Sequence, residues 1–175
     1  MDWLKVMISE HSLILQTSNL LKVLAGKLES SRQVPEGFWK ELGIVLDDFE
    51  AKLHHAKEEM VLFPKLKELH LQGDGELVEE FVKEHAEAKL LSRKIQEGSN
   101  EERLNALRQD SDLMLRHVRR ENSFFSQAQT VLSDSEKQEL FEGFQELEKK
   151  AFGSLGVLKG FSERVKALSE KASAL

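Results

Sequence analysis

The chain has 175 residues, 40% hydrophobic and 32% charged, with a net charge of −6 and no cysteine. That length supports one domain with a real core, and the missing thiols exclude disulfides, iron–sulfur clusters and thiolate zinc sites. The acidic balance argues against a nucleic-acid or anionic-membrane partner, because both need clustered Lys and Arg and the Arg116, Arg119, Arg120 group is too short.

No run of about 18 apolar residues could span a bilayer. The start, Met1-Asp2-Trp3-Leu4-Lys5, lacks the charged-then-apolar pattern of a secretory leader, so a cytoplasmic location is expected. Two prolines and ten glycines leave long stretches rich in Lys, Glu, Leu and Ala, a mix that favours helix. Helix one is predicted over about residues 2–29, with Trp3, Met7, Ile14, Leu21, Ala25 and Leu28 at helical spacing. Pro35 opens helix two, over about 36–71, with Phe38, Leu42, Val45, Phe49, Leu53, Ala56, Met60 and Phe63 as its stripe and an expected kink at Pro64. Gly73-Asp74-Gly75 reads as a tight reversal, and helix three follows over about 76–97.

Ser99 or Asn100 caps helix four, over about 100–131, whose face carries Leu107, Met114, His117, Glu121, Phe124, Ala128 and Val131. Ser133-Asp134-Ser135-Glu136 is a capping-box pattern that starts a fifth helix ending near residue 150. A last amphipathic segment holds Phe161, Val165 and Leu168. The pattern predicts an all-α fold: an antiparallel up-down four-helix bundle over residues 1–131, with one or two extra C-terminal helices over 132–175 packed on it.

Four histidines fall in mid-helix, one on each of the four helices: His11, His54, His85 and His117. At about 1.5 Å rise per residue, His11 and His54 both lie about 27 Å from the loop that joins their helices, so they share a layer. His85 and His117 fall at the same level to within about a turn. Glu58 and Glu121 each follow a histidine by four residues, so each His–Glu pair stacks on one helical face. Burying four imidazoles and two carboxylates at one level is costly unless something compensates. A metal does so, and a nitrogen and oxygen donor set suits iron or manganese better than calcium. Two carboxylates able to bridge favour two ions.

His55 and Glu59 repeat the spacing one residue on and compete for the same place; one step turns by about 100°, so only one pair can face the centre squarely. His54 and Glu58 are the expected inner pair, because His54 adjoins Leu53 on the apolar stripe. His70, near the end of helix two, is expected at the surface. Trp3, Trp39 and the phenylalanines are expected in the core, with Phe124 and Phe125 lining a dry pocket near Glu121.

Four strings carry a family resemblance: Ser9-Glu10-His11, His54-His55-Ala56-Lys57-Glu58-Glu59-Met60-Val61-Leu62-Phe63-Pro64, Lys83-Glu84-His85-Ala86-Glu87 and His117-Val118-Arg119-Arg120-Glu121. Together they resemble the hemerythrin-like, or HHE, cation-binding family. The resemblance implies two iron ions bridged by oxo or hydroxo, with manganese or zinc fitting less well. In it, His11, His54, His85 and His117 are terminal ligands and Glu58 and Glu121 bridge. It also implies a protein that binds or senses O2 or a related small oxidant. The chain departs from oxygen-carrying hemerythrins at Lys89, where they have a second histidine on helix three, and at Glu121, which stands where they place an aspartate one residue later. One iron is therefore expected to be more open, or completed by water or by Glu87. Two other readings compete: a di-iron enzyme consuming peroxide or nitric oxide, and a metal-free helical interaction module using the Phe161–Leu168 helix.

Overall fold

A computed structural model describes residues 2–68 and 74–175 of the chain, and the described residues form six helices with no strand. Helix α1 spans Trp3–Glu29, capped by the Asp2 carboxylate, which accepts the Leu4 N–H at 3.0 Å. Helix α2 is continuous over 36–68. It has an α-helical start, Glu36–Ile44, two wide π-helical segments, Val45–His55 and Glu58–Leu62, and an α-helical end, Phe63–Glu68. Then come α3 (Asp74–Glu97), α4 (Asn100–Val131), α5 (Asp134–Phe152) and α6 (Leu158–Ala174).

The boundaries follow local chemistry. Ser99 with Glu102 and Ser133 with Glu136 form reciprocal capping boxes at the starts of α4 and α5. Gly153 ends α5 at φ 70°, and Gly156 follows at φ 77°, left-handed conformations that cost a side-chain-bearing residue. α3 begins at Asp74, so Gly75 lies in its first turn rather than in a reversal; Gly73 and His70 lie outside the described residues.

At Pro64 the expected kink is taken up differently. The Phe63 N–H reaches back five residues to the Glu58 carbonyl, which widens the turn. A proline ring crowds the carbonyl four residues before it, and a wide turn relieves that clash. The widening also turns Met60 outward, 65% exposed, although helical spacing placed it in the stripe. Val131, the last residue of α4, is likewise half exposed rather than on the buried face.

Helix α1 packs chiefly on α4, α3 packs on α4, and α2 closes the bundle against α3. The last helices return to the bundle: α6 buries Val165, Leu168 and Ala172 against α1 and the first half of α2, and α5 buries Leu140 and Phe144. The amphipathic stripe of α6 is thus satisfied within the chain.

Apolar side chains collect in two clusters. One holds Leu13, Ile14, Leu21, Trp39, Phe49, Leu53, Leu91, Leu107, Met114 and Leu168; the other holds Trp3, Met7, Leu62, Phe63, Phe81, Phe124, Phe125 and Phe144. Each fully buried large side chain contributes roughly 1.5–3 kcal/mol. Between the clusters lies a polar layer at His11, His54, Glu58, His85, His117 and Glu121, held in place by apolar packing on both sides.

Candidate metal centre

His11 on α1, His54 and Glu58 on α2, His85 on α3, and His117 and Glu121 on α4 are all buried. Their candidate donor atoms fall into two groups that share both carboxylates. One is His11, His54, Glu58 and Glu121; the other is His85, His117, Glu58 and Glu121. Within each group the atoms lie within 4.8 Å of one another. His11 Nε2 is 3.2 Å from Glu121 Oε2 and 3.6 Å from Glu58 Oε1, and His54 Nε2 is 3.3 Å from Glu58 Oε1. On the other side, His85 Nε2 is 3.3 Å from Glu58 Oε2, and His117 Nε2 is 3.1 Å from Glu121 Oε2.

Close as they are, most of these atoms do not satisfy one another; the exception is His85 Nε2, 3.1 Å from His117 Nε2. Both oxygens of Glu58 and of Glu121, and Nε2 of His11 and His54, lie buried without a partner in hydrogen-bond geometry. Stranding that many polar atoms is expensive. Donors aimed at a shared centre, rather than at each other, are what a cation between them requires.

The outer side of each ring supports the same orientation. His11 Nδ1 meets Asn122 Oδ1 at 2.6 Å, His54 Nδ1 meets Glu10 at 3.0 Å, His85 Nδ1 meets Glu59 at 2.7 Å and His117 Nδ1 meets Glu84 at 2.7 Å. Each acceptor takes the Nδ1–H, leaving the Nε2 lone pair facing inward, the tautomer that ligation needs. Phe125 stacks on His11 and Phe81 meets His117 edge-on, which keeps the layer dry. Phe124 sits one ring further out, against Phe81 and Phe125.

His55 corrects the expectation that only one histidine of the pair faces inward. It is buried, stacks on the His85 ring with centroids 3.8 Å apart, and forms a further donor group with His85 and His117. Its Nε2 has no partner either. The π-helical segment explains this, because a wider turn narrows the angle between neighbouring residues. Burial along α2 shows the longer period in the pairs Val45/Leu46, Phe49/Glu50 and Leu53/His54, four residues apart. Glu59 is 41% exposed and holds His85 from outside. Glu87, expected as a spare ligand, is exposed and belongs to none of these groups.

The family of the chain follows from comparison with known proteins: residues 4–128 match the hemerythrin HHE cation binding domain. The chain belongs to the hemerythrin HHE family. No curated protein and no solved structure matches it. All six residues of the polar layer, and His55, lie inside the matched HHE span. Among the described residues no helix is long and apolar enough to cross a membrane.

The metal-free HHE centre stores charge. Burial works against protonation of His11, yet the Glu121 and Glu58 carboxylates outweigh it and raise its pKa to about 10. The same contest raises His117 to about 10, through Glu121 and Glu84, and His85 to about 9, through Glu58 and Glu59. Burial would push Glu58 up, but His54, His11 and His85 hold it well below the usual carboxylate range. Burial, followed by repulsion from the His85 charge, pushes His55 well down. Ligation needs neutral imidazole, so metal loading near pH 7 is expected to release on the order of three protons per chain. Titration in weak buffer with a pH indicator measures this, and no release would contradict it.

A second buried polar group was not legible in the sequence. Glu50 on α2 and Asp110 on α4, both buried, face a cavity of about 10 Å³ also lined by His55 and Ser92. Burial, then the Glu87 charge, raises Asp110 from 3.8 to about 7; burial, then Asp110 and Asp47, pushes Glu50 well up. The folded chain therefore keeps a proton on Asp110 that the unfolded chain releases. Through Asp110, stability of the metal-free protein is lost as pH rises from about 4 to about 7. Asp110→Asn removes that slope, so urea midpoints should favour the variant at about pH 8 and not at about pH 4.

Proposed function

We propose that this HHE chain is a non-haem di-iron protein that binds or senses O2, or a related small oxidant, in the bundle core. The observation that carries the reading is the pair of donor groups sharing Glu58 and Glu121, with both carboxylates and the inward atoms of His11 and His54 otherwise unsatisfied. His11 and His54 would hold one ion, His85 and His117 the other, and both carboxylates would span the two. His55 would add a third imidazole at the second position, leaving the first with fewer protein donors and more open. Choosing iron over manganese or zinc rests on the family; the donors alone accommodate all three.

A ferrous pair held there supplies electrons to a small oxidant. The chain's own part is to hold, orient and shield. The outer acceptors on Nδ1 fix each ring, and Phe125 and Phe81 exclude bulk water from the layer. A surface cleft of about 340 Å³, lined by His55, Glu59, Met60, Val82, His85 and Lys89, brings solvent to the edge of the second position. The test is to load the protein with ferrous iron without oxygen, admit O2 and record the visible spectrum. New visible absorption is expected, and an unchanged spectrum would overturn the reading.

A further inference from the structure

The four histidines with outer acceptors are not held alike. His11 has a neutral partner, Asn122, whereas His85 and His117 have the carboxylates Glu59 and Glu84. Glu84 also takes a hydrogen bond from Arg120 at 2.8 Å, and that guanidinium is 38% exposed. His54 has a carboxylate too, Glu10, but its second partner is a buried cation. Glu10 Oε2 takes the His54 Nδ1–H at 3.0 Å, while Glu10 Oε1 takes a proton of the Lys57 ammonium at 2.5 Å. Lys57 is only 1% exposed, an unusual place for a lysine. Its ammonium also reaches Glu148 Oε2 on α5 at 3.3 Å. The other oxygen of Glu148, Oε1, accepts the Val157 N–H at 3.0 Å, where the chain turns from α5 into α6.

A single line of hydrogen bonds thus runs from the α5–α6 junction to the ring of His54: Val157, Glu148, Lys57, Glu10, His54. Each link bears on the next. A free carboxylate on Nδ1–H draws the proton outward and makes Nε2 a stronger donor to a metal. The Lys57 cation withdraws charge from Glu10 and weakens that pull. Glu148 competes for Lys57 and so returns part of the charge to Glu10. Because the chain is buried at Glu10 and Lys57, water screens these effects little. The Asn122, Glu59 and Glu84 partners of the other three histidines are not reached by this line.

We infer that Glu148 is a positioning residue for the metal centre. Through Lys57 and Glu10 it sets how strongly His54 donates to its ion, so the C-terminal helices tune the reduction potential of that position. This rests on the di-iron reading for its redox consequence, but not for the hydrogen-bond chain itself. The sign differs along the chain. Lys57→Met frees Glu10 to pull fully on His54, strengthens the donor, and lowers the potential of the iron-loaded protein. Glu148→Gln leaves Lys57 to Glu10 alone, weakens the donor, and raises the potential. Glu148→Asp restores a carboxylate and should move the potential back toward that of the unsubstituted protein.

Two measurements test this. Spectroelectrochemical titration of the iron-loaded full chain should give opposite shifts for Lys57→Met and Glu148→Gln. Shifts of the same sign, or none for Glu148→Gln, would overturn the inference. Glu148 is only partly buried, so its variant is expected to fold even if Lys57→Met does not. In the metal-free protein, the NMR resonance of the His54 Nδ1 proton should move upfield in Glu148→Gln, as its hydrogen bond weakens. An unmoved resonance would overturn the inference without any reference to iron. A moved resonance in a protein that takes up no iron would instead count against the di-iron reading alone.

Discussion

Glu58→Gln is expected to lose both metal ions. Glu58 belongs to both donor groups, its two oxygens facing His11 and His54 on one side and His85 on the other. An amide keeps the shape but offers one neutral oxygen and an NH2 group, so it cannot span two cations. The affinity loss should exceed the roughly 10–100-fold that follows removal of an outer partner of a ligand. The same carboxylate draws protons onto His11 and His85 in the metal-free state, so the variant should also take up fewer of them. Metal retained after gel filtration measures the first effect. A variant that keeps two ions would show that Glu58 is not shared.

His54→Ala and His55→Ala should differ, although the residues are neighbours. His54 is one of only two imidazoles in its donor group, so its loss leaves one histidine and two shared carboxylates. That position should empty. His55 joins a group that already holds His85 and His117, and no outer acceptor on its ring is present among the described residues to hold it in place. Its loss leaves two imidazoles and both carboxylates, so the second position should keep its ion, bound more weakly and exchanging faster. Measuring both ions in both variants separates the roles, and equal losses would contradict the assignment.

Much of the fold was legible because it follows from local rules. The helical period gave α1, α3 and α4 to within about two residues, and Ser99 and Ser133 announced the starts of α4 and α5 through their partners three residues on. The polar layer could be read because the α-helical rise makes depth comparable, to within about a turn, between helices joined by a short connection. What could not be read lies in α2. A fixed step of about 100° let only one of His54 and His55 face the centre and put Met60 in the stripe, and the wide turns of Val45–His55 and Glu58–Leu62 bury both histidines and turn Met60 out. The four-residue period of buried pairs in that helix is the one signal that could have warned of it.

The line from Glu148 to His54 and the buried pair Glu50 and Asp110 were also hidden. They join residues distant in sequence, and their charged types read as solvent-facing until packing encloses them. The outer acceptors Glu10, Glu59 and Glu84 sit beside or between the expected ligands, yet no spacing rule marks them as second partners of a ring.

On the proposed reading, Glu58 and Glu121 hold two ions side by side between four helices. Anaerobic titration of the metal-free protein with ferrous iron, with bound iron counted after removal of excess, tests it most directly. Two ions per chain are expected for the unsubstituted protein and none for Glu58→Gln. Binding of one ion or none, or uptake unchanged in Glu58→Gln, would show that the two carboxylates do not hold a shared pair.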